Sequence, residues 1–77
     1  MRYIIQRMMT MMKARRLALG LTQQAVGYKA KVSSSDVSRI ENGRMVPYPQ
    51  QAKKIARVLG LGLEELLKSV VEDAEAL

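Results

Sequence analysis

Stop signals cut this chain into short helices. Gly20, Asn42-Gly43 and Gly60 each follow apolar residues at helical spacing, and Pro49 stands where a helix can begin but not continue. Charged or amide side chains interrupt every apolar stretch well short of the ~20 residues a membrane span requires. The core must be aliphatic, because there is no Phe or Trp but six Met among many Leu, Val, Ile and Ala. Strands enrich β-branched and aromatic residues, so this composition favours helices. The expected fold class is all-α, a compact arrangement of five helices without internal repeats.

The first helix is expected from Ile5 to Leu19, with Met8, Met12 and Leu19 as its apolar stripe and Gly20 as its stop. Thr22 is a sound N-cap for a second, from Gln23 to about Ala30, which buries Val26 and Ala30. Gly27 in its middle costs up to about 1 kcal/mol relative to Ala, which points to another helix backbone crossing close by. The third restarts at Ser33, where Ser33 and Asp36 have capping-box spacing, and runs to Glu41 or Asn42. The fourth spans Pro49 to Leu59 and buries Ala52, Ile55, Ala56 and Leu59. A fifth is expected to start near Leu63, gain from Glu64 and Glu65 in its first turn, and bury Leu63, Leu66, Leu67 and Val70. Beyond Val71 the acidic end is expected to fray. The chain reads as one domain with its core at about 8–67, an N-terminal extension at 1–7 and an acidic tail at 71–77.

Chemistry is narrowed by two absences: the chain has no Cys and no His. Disulfides, thiolate nucleophiles, zinc clusters and imidazole acid–base work are excluded together. No carboxylate pair or glycine-rich phosphate loop has suitable spacing, so neither an enzyme nor a cofactor is expected. The N-terminus lacks the continuous apolar core of a signal peptide, and a cytoplasmic protein without membrane association is expected. The charge is lopsided. Residues 1–62 carry 12 basic and 2 acidic side chains (net +10), whereas residues 63–77 carry one Lys and five acids (net −4). A body this basic suits a polyanion, since Lys and Arg gain affinity by displacing counterions from phosphates.

Two short helices joined by a tight turn at about 22–42 form the arrangement that presents a second helix to the major groove of DNA. Residues Leu21-Thr22-Gln23-Gln24, Val26-Gly27, Val32-Ser33 and Val37-Ser38-Arg39-Ile40-Glu41-Asn42-Gly43 resemble the Cro/Xre superfamily of phage-repressor-like helix-turn-helix proteins. The resemblance covers about Met8 to Leu67. Its specific part is Ile40-Glu41-Asn42-Gly43, some twenty residues after Gly20-Leu21-Thr22-Gln23. It implies a five-helix, lambda-repressor-like domain that binds operator DNA, usually as a two-fold dimer.

Residue roles follow from the resemblance. Gln23 matches a phosphate-gripping position at the start of helix two. Ser34, Ser35 and Arg39, with Ser38 beside them, match base-reading positions. Asn42 and Arg44 match the phosphate-clamping loop. Helical geometry agrees independently, because 34, 35, 38, 39 and 42 share one polar face and Val37 and Ile40 the opposite one. Each residue also has an ordinary reading: Ser34 and Ser35 as first-turn acceptors, Arg39 as a solvated charge, Gln23 as a helix former. Arg39 is the favoured base reader, since guanidinium can donate twice to guanine O6 and N7. Glu41 matches a structural position that pairs with an Arg at the end of helix one, here Arg16. A carboxylate facing phosphates would repel them, so an internal pair is the better account. The family commonly has Gly where Lys31 stands, because the backbone there takes positive φ.

The leading function is therefore a sequence-specific transcriptional regulator, a repressor or autoregulator, reading the major groove with helix 33–42 as a homodimer on a palindromic site. The competing class is a protein-interaction adaptor, or an antitoxin or controller subunit acting through a protein partner. Its motivation is apolar surface outside the expected core: Tyr3, Ile4, Ile5, Met9, Met11, Val70, Val71 and Leu77.

Overall fold

The computed structural model describes the backbone of residues 6–73 and the side chains of residues 9–68. Elements run in the order β1 (Gln6–Thr10), α1 (Met11–Ala18), α2 (Gln23–Ala30), α3 (Ser34–Glu41), α4 (Pro49–Leu59), a single 3-10 turn (Leu63–Glu65) and β2 (Ser69–Asp73). Among the described residues there are thus four α-helices rather than five. The two strands pair antiparallel, Gln6 opposite Asp73 and Thr10 opposite Ser69.

The middle of the chain folds where its local signals place it. Thr22 Oγ1 accepts from the Ala25 backbone N–H at 3.0 Å and starts α2, and Ser33 Oγ accepts from Asp36 N–H at 3.1 Å and starts α3. These bonds satisfy donors that the first helical turn leaves unpaired. The reciprocal half of the expected capping box is different: the Asp36 carboxylate accepts from Gln51 Nε2 at 3.1 Å, tying α3 to α4. Pro49 opens α4, and Gly60 at φ 69 closes it in the left-handed region that glycine enters without steric cost. Val26, Ala30, Val37, Ile40, Ile55, Ala56 and Leu59 face inward from α2, α3 and α4 and, with Met12, Val32, Leu61 and Leu66, make the core.

Both ends depart from expectation. The first helix begins at Met11 instead of Ile5, because Thr10 is its N-cap, with Oγ1 accepting from Lys13 N–H at 3.1 Å. Residues Gln6–Thr10 pair with β2 instead. The expected fifth helix is one 3-10 turn, after which Leu66 and Lys68 carbonyls accept from the Met12 and Met11 N–H groups, at 3.1 and 2.7 Å. Those carbonyls are therefore turned towards α1, and the chain continues as a strand. Of the apolar residues assigned to that helix Leu66 is buried, while Leu63 and Leu67 are half-exposed, as is Leu19 of the expected first stripe. Glu72 and Asp73, expected to fray, belong to β2. Tyr3, Ile4, Ile5 and Leu77 lie outside the described residues.

Lys31 ends α2 at φ 57, the one non-glycine residue with positive φ among the described residues. A side chain in that conformation costs on the order of 1 kcal/mol that glycine does not incur. Part of the relief is offset by the greater freedom of glycine in the unfolded chain. Lys31→Gly is accordingly expected to stabilise the domain by a few tenths to about 1 kcal/mol. A thermal melt with a lowered transition would show the turn to be unstrained.

Candidate nucleic-acid interface

The end of α3 is anchored by a buried charge network. Arg16 Nε donates to Glu41 Oε2 at 2.7 Å and Arg16 Nη2 to Oε1 at 3.0 Å, a two-pronged pair between α1 and α3. Arg16 and Glu41 are 9% and 3% exposed. Arg16 Nη1 also donates to the Leu21 carbonyl at 2.9 Å, and Gln23 Nε2 to Glu41 Oε1 at 3.0 Å. One carboxylate thus fixes α1, the start of α2 and the end of α3. Thr10 Oγ1 adds a bond to the Glu41 carbonyl at 3.2 Å. Desolvated ions cost several kcal/mol unless their partners complete such a set, and no buried side-chain nitrogen or oxygen among the described residues lacks one.

The turn between α2 and α3 is held by close backbone approach. A Cβ on Gly27 would stand 2.5 Å from the Val32 carbonyl oxygen and 3.3 Å from Ser34 N. The expected crossing at Gly27 is therefore made by the turn and the first residue of α3, not by another helix. Val32 N–H donates to the Gly27 carbonyl at 2.9 Å and closes the turn.

With that geometry set, α3 turns Val37 and Ile40 inward and leaves its polar face to a cleft of about 610 Å³ beside the start of α2. The cleft is lined by Gln23, Ser34, Ser35, Ser38, Arg39 and Arg44, each a contact position expected from the resemblance, and by Thr22 and Gln24, for which no contact role is expected. No acid lines it. Arg39 is 63% exposed in its side chain, and its contact to Asp36 Oδ1, at 3.7 Å, is long and solvent-screened. That guanidinium is held loosely enough to be recruited by a ligand. Asn42 is exposed at the α3 C-cap, with Nδ2 donating to the Ser38 carbonyl at 2.9 Å, and lies outside the lining of this cleft. Gly43, at φ 74, and the Arg44 N–H bond to the Arg39 carbonyl at 2.8 Å turn the chain back so that Arg44 returns to the cleft. Gln23 is only partly exposed, one of its amide hydrogens being committed to Glu41. Thr22 and Gln24 are not legible as cleft residues in the sequence, because their place beside Ser34 depends on the crossing at Gly27, which no single helix encodes.

A family model described as a helix-turn-helix domain matches residues 10–68. The chain belongs to the helix-turn-helix domain family. The match contains the residues that resemble the Cro/Xre superfamily and both helices that flank the cleft. No curated protein matches the chain. A helix-turn-helix domain is the arrangement of a DNA-binding regulator. Among the described residues no helix is long and apolar enough to cross a membrane.

Proposed function

We propose that this helix-turn-helix domain is a sequence-specific transcriptional repressor or autoregulator that reads double-stranded DNA with α3 in the major groove. The supporting observation is the acid-free cleft whose lining includes Ser34, Ser35, Ser38, Arg39 and Arg44. A groove roughly 12 Å wide admits one α-helix, whose outward side chains then face base edges. Arg39 is assigned to guanine, and the serines to short, permissive contacts. Gln23, Asn42 and Arg44 are assigned to the flanking phosphates, Gln23 through its second amide hydrogen. Short serines discriminate weakly among bases, so easily deformed DNA steps supply part of the specificity.

The basic body supports the same reading, since the charge of residues 1–62 is net +10. Every phosphate contact contributes about 0.9 to the slope of log affinity against log salt. Selection of bound sequences from a random pool, followed by gel shifts at several salt concentrations, tests the proposal directly. A palindromic consensus and a steep salt dependence are expected; a chain that retains no fragment at low salt would refute it. Within the selected site, Arg39→Ala is expected to cost about 1–3 kcal/mol and to relax preference at one guanine while leaving the melting temperature nearly unchanged. Equal loss on every sequence would make Arg39 a phosphate contact instead.

A homodimer fits a palindromic site, because two-fold protein symmetry is mirrored in the DNA half-sites. Light scattering is expected to give the mass of two chains. The alternative, an adaptor or antitoxin or controller subunit acting through a protein partner, draws on the exposed Val46 and Tyr48 between α3 and α4. A monomer at high concentration that also fails to select DNA would favour it.

A further inference from the structure

The turn between α2 and α3 carries a second cleft, of about 690 Å³, lined among others by Tyr28, Lys29, Lys31 and Ser33. It shares Gln24 and Ser34 with the cleft beside α3, so the two adjoin at the start of that helix. No acid lines either part. Tyr28 is 87% exposed, although aromatic residues are scarce in this chain, and both lysines are exposed. The backbone at Lys31 is in the left-handed region, where glycine would be the less costly choice.

We propose that this turn is a DNA-backbone site in its own right: Lys31 and Lys29 pair with a phosphate of the strand flanking the major groove, and the Tyr28 hydroxyl donates to the same sugar–phosphate segment. The proposal rests on the DNA-binding reading above and extends its footprint past the start of α3. A helix seated in the groove places whatever adjoins its N-terminal end over the groove wall, and that wall is phosphate and sugar rather than base edge. Two ammonium groups, which only donate, and a phenol hydroxyl, which can donate, suit such an acceptor-rich surface. Strain kept at an exposed cation has a physical reason if that cation binds, since a backbone held in an unfavourable region persists where the site uses it.

The test uses the full chain and a DNA fragment chosen by random-pool selection. Fluorescence anisotropy at several salt concentrations would compare the native chain with Lys31→Gly, Lys31→Arg and Lys29→Ala, with hydroxyl-radical footprinting of each complex. Lys31→Gly is expected to melt at a higher temperature yet bind about fivefold to tenfold more weakly near ~0.1 M salt, with a salt slope shallower by about 0.9. Lys31→Arg is expected to keep the slope, and Lys29→Ala to lose part of it. The footprint of Lys31→Gly should reopen only at backbone positions beside the base-contacting steps. Unchanged affinity and slope in Lys31→Gly would overturn the proposal, as would weaker binding at an unchanged slope and footprint. A native chain that binds no DNA would instead overturn the functional reading on which it stands.

Discussion

Glu41→Ala is expected to lower the melting temperature by on the order of 20 °C. The substitution leaves the guanidinium of buried Arg16 without the carboxylate that meets two of its nitrogens, and removes the acceptor of Gln23. Removing one partner of a buried pair costs roughly 3–5 kcal/mol, because an uncompensated charge remains. In a domain of this size each kcal/mol shifts the transition by about 4–8 °C. Replacing both members with apolar residues, Arg16→Met with Glu41→Leu, is expected to restore much of the loss, since neither charge is then stranded. Circular dichroism melts of the single and double variants measure both effects. A shift below about 5 °C in the single variant would mean that water reaches Arg16 and that the network is not a main anchor of α3.

Gly27→Ala is the second large effect, and two terms oppose each other there. Alanine gains up to about 1 kcal/mol of helix propensity over glycine. Its Cβ, however, would stand 2.5 Å from the Val32 carbonyl oxygen, a backbone atom that cannot rotate away. Forcing an extra carbon into a packed site costs typically ~1–3 kcal/mol, so a net destabilisation of about 1–2 kcal/mol is expected. The consequence for DNA is larger than for stability. Relief of the contact moves Val32 to Ser34 away from α2 and changes the angle at which α3 is presented, so affinity for a selected site should fall at least tenfold. A variant that melts higher than the native chain and binds normally would show the crossing to be slack.

Gly27 also marks the limit of what local pattern reveals. A glycine in mid-helix announces a close neighbour, but not which one. The neighbour is the turn at Val32, only two residues beyond the end of the same helix, so the two-helix unit is locally self-packed. Ser34, Ser35, Ser38 and Arg39 were legible because one helix places them on one face, whatever surrounds it. Gln24 and Tyr28 were not, since α2 offers several faces and only its crossing with α3 decides which adjoin the cleft. Gln23 was legible as a helix-start residue, whereas its bond to Glu41 joins residues 18 apart and exists only in the assembled domain.

The sequence by itself determined α2, α3 and α4, with their starts at Thr22, Ser33 and Pro49 and the stop at Gly60, because caps and stops act through hydrogen bonds and backbone geometry within a few residues. It also determined the polar face of α3 and the basic charge of the body. Tertiary structure alone decided the two ends. Met-rich residues 6–10 and residues 69–73 are compatible with helix or strand by pattern, and neither strand has a partner until the other arrives. A strand's backbone groups are satisfied by a neighbouring strand and not by its own chain, so the choice between helix and ribbon was made by a pairing between opposite ends of the protein.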